Sequence, residues 1–141
     1  MSSRSCEGLR DMFADTKAYS GFAVDDLGAA REFYGDTLGV RTEILDEQNG
    51  LIVLHLAGDR DTLVYQKPDL QPGNYTILNF TVDDIDAAVA ELSERGVHFE
   101  RYEGFEQDEQ GIARGLAQGR GPDIAWFKDP AGNILAVVQE Q

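Results

Sequence analysis

The chain has 141 residues, with 12 basic and 26 acidic side chains and a net charge of −14, a length that suits one domain able to bury its own core. The charge argues against nucleic acid and anionic membrane surfaces as partners, since both need clustered lysine and arginine, and no apolar run approaches the ~20 residues of a membrane span. The single cysteine, Cys6, excludes an intramolecular disulfide and a cysteine zinc site, and the opening MSSRSCEGLRDMF lacks the apolar segment of a secretory signal, so cytoplasmic residence is the expectation.

Residues 1–16 read as an N-terminal extension, in which Leu9, Met12 and Phe13 form a short amphipathic turn packed on the body. Residues 17–141 read as a single domain. Tyr19 to Val24 is a short apolar or aromatic strand. Asp25 or Asp26 caps the helix that follows, whose apolar residues Leu27, Ala30, Phe33, Tyr34 and Leu38 recur at helical spacing. Gly39 suits a left-handed stop. Strands follow at Val40 to Leu45, Leu51 to Leu56 and Thr62 to Gln66, with a hairpin signal at Asn49-Gly50. Lys67 to Asn74 is a linker containing two prolines.

The same order then recurs. GFAVDDLGAAREFY, beginning at Gly21, aligns with NFTVDDIDAAVAEL, beginning at Asn79. Tyr75 to Val82 is a strand, Asp84 to Arg95 a helix, and Val97 to Arg101 a strand. Glu103 to Pro122 is a polar, glycine-rich insertion, too long for an idle loop and read as either a binding lid or a mobile segment. Ile124 to Lys128 and Ile134 to Val138 flank the turn Asp129-Pro130-Ala131-Gly132-Asn133, where Asn133 serves as a turn former. The fold class is α+β: two βαβββ modules in tandem, spanning about residues 17–68 and 74–141.

These modules, the AVDDLGAAREFYGDTLG opening and the FKDPAGNIL closing hairpin resemble the vicinal oxygen chelate superfamily of glyoxalase I, bleomycin-resistance proteins and extradiol dioxygenases. The resemblance runs from Lys17 to Glu140. It implies curved mixed sheets enclosing a cavity with the helices outside, and a symmetric homodimer that covers the concave sheet faces. In the enzymatic members it also implies a divalent metal held by His, Glu or Gln from the first and last strand of each module. Such ligands must offer lone pairs that converge on one ion. At the aligned positions stand Tyr19, Ile77, Ala136 and Val64, or Tyr65 if the register slips by one. None of Ile77, Ala136 and Val64 can bind a metal through its side chain, so no metal or other cofactor is expected.

Strand alternation supplies a candidate ligand-binding set. Tyr19, Val64, Gln66, Ile77, Asn79 and Ala136 are placed on cavity faces, joined by Trp126 from the closing hairpin and His55 from an otherwise apolar strand. The chain has only two histidines; His98 reads as a solvated or structural residue. An apolar face with a few neutral polar groups suits an organic ligand with an aromatic part that stacks on Tyr19, and the acidic surface favours one that is cationic. The expected function is metal-independent binding or sequestration of a small molecule, as in bleomycin-resistance proteins. The alternatives are a glyoxalase- or dioxygenase-like enzyme using displaced ligands or acid–base residues (His55, Tyr19 or an insertion carboxylate) and a structural domain whose cavity is filled.

Overall fold

In the computed structural model, which describes residues 12–141, the two repeats fold into two sheets of identical strand order. The first module contributes β1 (Ser20–Val24), β2 (Arg41–Asp46), β3 (Leu51–His55) and β4 (Thr62–Gln66). Its helix α1 (Leu27–Arg31) runs directly into a π-helical turn at Glu32–Thr37. The second contributes β5 (Thr76–Thr81), helix α2 (Ile85–Glu94), β6 (Ala113–Arg114), β7 (Asp123–Lys128) and β8 (Ile134–Gln139). The orders are β1-β4-β3-β2 and β5-β8-β7-β6. In each sheet the first strand runs parallel to the last, and the remaining pairs are antiparallel.

The helix starts repeat down to single hydrogen bonds. Asp26 accepts from the Ala29 N–H at 3.1 Å and Asp84 from the Ala87 N–H at 3.2 Å, each satisfying an orphan donor of the first turn. A second orphan is met across the sheet: the Leu27 N–H donates to Gln66 Oε1 and the Ile85 N–H to Gln139 Oε1, both at 2.9 Å. Gln66 therefore faces the helix and not the cavity. Val64 faces the same way. It lies opposite Phe22 in the β1–β4 ladder and is fully buried with Val24, Ile52, Leu54 and Tyr34. The register is one residue away from the one read in the sequence, and Tyr65, paired with Ala23, occupies the opposite face.

One core serves both modules on the helix side, where Val24, Ala30, Tyr34 and Val64 share a cluster with Ile85, Val89, Phe127 and Val137. The DPAGN turn fastens the modules together. Asp129, 4% exposed, accepts from the Tyr34 hydroxyl at 2.7 Å, from the N–H groups of Ala131 and Asn133, and from Asn133 Nδ2. Asn133 Nδ2 also donates to the Ala23 carbonyl of β1 at 2.8 Å. Asn133 thus forms its turn and holds a strand of the other module. Burial first, and then the Asp129 carboxylate, push the Tyr34 phenol far above its usual range, so it remains a proton donor.

The stretch Val97 to Arg101 is not a strand. It keeps a single bridge, Phe99 to Phe127, and one bond from the Glu100 N–H to the Trp126 carbonyl. The sheet edge is completed from within the insertion by β6, which pairs with Asp123 and Ile124. Polar side chains order the intervening loop. Gln107 accepts from the Tyr102 N–H and donates to the Glu100 and Gly111 carbonyls. Asp108 accepts from the N–H groups of Gln110 and Ile112 and from Arg114 Nε, and Arg114 reaches on to Asp86 of α2. Burial opposes the charge on Asp108, yet the Ile112 N–H, Arg114 and the Gln110 N–H hold its carboxyl below the ordinary value. Ile112 enters the common core fully buried.

At the start of the described chain, residues 12–15 form a turn, but Met12 and Phe13 are 56% and 76% exposed and do not pack on the body. Leu9 and Cys6 lie outside the described residues. No helix among the described residues is long and apolar enough to cross a membrane.

Candidate functional site

The face of each sheet turned away from its helix carries the candidate site. On the first sheet, strand alternation and register place Gly21, Ala23, Val53, His55 and Tyr65 there, with Tyr19 just ahead of β1. Tyr19 is 73% exposed and Tyr65 40%, so both rings are open to a partner. On the second sheet Asn79, Ala136 and Trp126 form one row across β5, β8 and β7. Trp126, Ile134, Ala136 and Val138 make a small apolar cluster of their own, separate from the main core, with Tyr102, Ala113 and Ile124 against it. Ile77 is half-buried at the register shift of β5. Of the eight residues singled out in the sequence, Asn79, Ala136 and Trp126 come together as that row, Tyr19 and His55 belong to the first sheet, and Val64 and Gln66 lie on the helix side.

His55 has a charged setting that its apolar strand does not advertise. Nε2 is 2.9 Å from Glu43 Oε1, across the β2–β3 ladder, and Nδ1 is 3.0 Å from Asp61 Oδ1 in the turn before β4. A neutral imidazole has one N–H and would set its other nitrogen against a carboxylate lone pair. Both contacts are satisfied only by the imidazolium, and the bonds to Glu43 and then Asp61 raise the His55 pKa above the usual 6.5. A raised folded-state pKa contributes stability that is fully present below the unfolded value and fades as pH climbs through the folded one. The wild-type protein is therefore expected to lose its thermal advantage over His55→Gln as pH rises from about 6 through the folded His55 pKa, as read by paired melting curves. An advantage independent of pH would show that the ring is not charged.

The family resemblance calls for a metal between the sheets. With the register corrected, the four positions hold Tyr19, Tyr65, Ile77 and Ala136. Two exposed phenols and two hydrocarbon side chains do not fit a divalent ion. Among the described residues no group of three or more His, Cys, Asp or Glu is placed to hold one. The His55 carboxylates sit on opposite edges of the ring and do not converge.

Two cavities lie away from these residues. One of about 370 Å³ runs beneath α2 against Leu38 and Val40, bordered by Phe80, Phe127, Leu92 and Arg95. Another of about 320 Å³ lies beside the β2–β3 hairpin. Gln66, at the second, is the only one of the eight predicted residues that borders either. Two residues that the sequence reading passed over also matter. Tyr102 stacks edge-on against Trp126 at 5.5 Å between ring centres, and Phe105 covers Trp126 at 4.9 Å. Phe105 was legible as the lone large apolar residue in the polar run EGFEQDEQG.

A family model, the Glyoxalase/Bleomycin resistance protein/Dioxygenase superfamily, matches residues 17–137. The chain belongs to this superfamily. Solved structures of the superfamily fold agree. TnmS3, an antibiotic binding protein from Streptomyces sp. CB03234, is 25% identical with a TM-score of 0.63, covering 90% of this chain and 98% of its own. A glyoxalase/bleomycin resistance protein from the same Streptomyces is 27% identical, with a TM-score of 0.53 and coverages of 86% and 100%. A superfamily member from Sphaerobacter thermophilus DSM 20745 is 25% identical, with a TM-score of 0.61 and coverages of 88% and 98%. No curated protein matches the chain significantly. Superfamily membership covers both ligand-binding proteins and enzymes, so the choice between them rests on the site.

Proposed function

We propose that the protein binds a small organic molecule without a metal, on the sheet faces turned away from the helices, and that it works as a cytoplasmic homodimer. The observation that carries this reading is the row Asn79–Ala136–Trp126 on the second sheet. It offers an indole, an apolar floor and one neutral amide, with Ala136 standing where enzymatic relatives place a metal ligand. The likeness to an antibiotic binding protein supports the same reading. The acidic surface draws cationic molecules, the exposed rings of Tyr19 and Tyr65 suit aromatic ones, and pairing two chains covers apolar surface that a single chain leaves exposed.

The enzyme reading keeps one specific support, the His55–Glu43–Asp61 cluster. A charged imidazole locked between two carboxylates is a poor base, which favours binding over turnover.

One preparation tests the reading with three readouts. Light scattering should give about twice the 15.5 kDa chain mass. Loading with zinc, nickel, manganese or ferrous iron followed by desalting should leave well under one equivalent bound. Planar aromatic and cationic test compounds should perturb the amide resonances of Asn79, Trp126 and Ala136 and be recovered unchanged. One tightly held metal equivalent, or conversion of a bound compound, would replace the binding reading with the displaced-ligand enzyme.

A further inference from the structure

Among the described residues, one buried side-chain polar atom has no hydrogen-bond partner: the Tyr102 hydroxyl. Tyr102 packs against the buried apolar cluster of Trp126, Ile134, Ala136 and Val138, on the face of the second sheet turned away from α2. A buried hydroxyl left without a partner is costly, and native proteins keep few such groups. Burial first, and then the Glu100 carboxylate, push the phenol above its usual value. The group is therefore a protonated donor without an acceptor.

Phe105 is unusual in the opposite sense. It is 56% exposed although large and apolar, and its ring covers Trp126 at 4.9 Å. A gap of that size admits no third ring between them. Phe105 sits on a short turn after Tyr102, closed by a long 3.4 Å bond from its own N–H to the Tyr102 carbonyl. The turn passes through Gly104 at φ 91°, with nothing within 4 Å of where a Cβ would stand. Gln107 ties the loop to Tyr102 on one side of the turn and to Gly111 on the other, and Asp108 holds Ile112, so the bonds that order the insertion lie outside the turn carrying Phe105.

We infer that Phe105 holds the place of a planar aromatic ligand on Trp126, and that the Tyr102 hydroxyl is the donor that selects ligands carrying a ring carbonyl or similar acceptor oxygen. The inference rests on the binding reading given above and sharpens it, since it names the ligand class and the group that recognises it. The 103–122 insertion then acts through one side chain. When the ligand enters, Phe105 swings outward, the ligand ring stacks on the indole, and the orphan donor gains its acceptor.

The test uses 9-fluorenone and fluorene, planar tricycles that differ in one carbonyl oxygen, titrated into the full-length protein. Trp126 is the chain's one tryptophan, so its indole N–H resonance reports binding at this site without ambiguity. Fluorenone should bind about tenfold more tightly than fluorene, the worth of one hydrogen bond to an otherwise unpaired donor. Tyr102→Phe should abolish the difference between the two probes. Phe105→Ala, at an exposed position, should tighten both probes several-fold, because the place-holder is gone.

Equal binding of the two probes to the wild type, or a preference that survives Tyr102→Phe, overturns the role of Tyr102 while leaving small-molecule binding intact. Weaker binding to Phe105→Ala makes Phe105 a fixed wall and overturns the displacement. A Trp126 resonance that does not respond to either probe overturns the whole assignment. The general binding reading keeps its own test in the wider compound set and in the metal content.

Discussion

Replacing Asp129 with alanine should lower the free energy of unfolding by about 4 kcal/mol and the melting temperature by roughly 10–20 °C. The carboxylate is buried and is the acceptor for a hydroxyl, two backbone N–H groups and an amide. Hydrogen bonds to a charged group are worth ~1.5–3 kcal/mol each, and a buried donor stripped of its acceptor costs ~1–3 kcal/mol. The Tyr34 hydroxyl is the most exposed to this loss, since its residue has no solvent access and its proton cannot leave. Tyr34→Phe alone removes one donor and still leaves the carboxylate its other three bonds, so it should cost ~1–1.5 kcal/mol. In the double variant the orphaned hydroxyl no longer exists, and the combined loss should fall short of the sum by ~1–2 kcal/mol. Urea denaturation of the four proteins completes the cycle. A loss below ~1 kcal/mol for Asp129→Ala would mean that water replaces the turn's acceptor and that the Asp129 carboxylate does not hold the modules together.

The same residues show what the sequence reveals and what it hides. The repeat was legible because helix caps and strand periodicity are local. Asp26 and Asp84, and the apolar stripes behind them, announce two equivalent helices between equivalent strands. The DPAGN turn was legible for the same reason, but its second task was not. That Asn133 reaches the Ala23 carbonyl depends on the docking of one module on the other, which no local pattern encodes. The register of β4 was lost because Leu63, Val64 and Tyr65 are all apolar, so alternation offers no contrast between the faces. With only that segment in hand, Val64 and Tyr65 exchange places at no cost to the pattern.

A signal did exist in the repeat. Val64-Tyr65-Gln66 and Val137-Val138-Gln139 share a valine two residues before a glutamine, and both glutamines bond the start of a helix. Aligning the glutamines fixes the register. The edge of the second sheet was misplaced because Val97 to Arg101 has the composition of a strand. Its pairing is interrupted by the loop that Gln107 and Asp108 hold, and these are side-chain networks with no periodicity to read. Within the site, His55 was conspicuous as an imidazole among aliphatics, while its partners Glu43 and Asp61 became visible only once β2, β3 and the turn before β4 were in register.

Phe127→Ala should cost about 4 kcal/mol, within the ~3–5 kcal/mol range for truncating a buried phenylalanine. The ring is fully buried and stands where the modules meet on the helix side. Its centre is 6.3 Å from Phe33 of the first module and 5.6 Å from Phe99 of the second, pairs worth ~0.5–1.5 kcal/mol beyond area burial. It also borders the cavity of about 370 Å³ beneath α2, so the space it vacates merges with one that already exists. Backbone collapse cannot close that space, because Phe127 sits in a ladder with Leu135 on one side and a bridge to Phe99 on the other. The apolar walls are left facing a void or water, which places the cost above that of a site able to repack. Phe127→Leu keeps most of the volume and loses the ring pairs, and should cost ~1–2 kcal/mol. Denaturant midpoints of both variants, with the m-value unchanged, check the ordering. If Phe127→Ala fell below ~1.5 kcal/mol, the ring would not join the modules, and the Tyr34–Asp129 bond would be the main tie between them. Phe127 and Asp129 lie two residues apart on the same closing hairpin, so combining their alanine variants should give a loss that departs from the sum by more than ~0.5 kcal/mol. Simple additivity would show instead that the aromatic joint and the hydrogen-bonded turn hold the two modules independently.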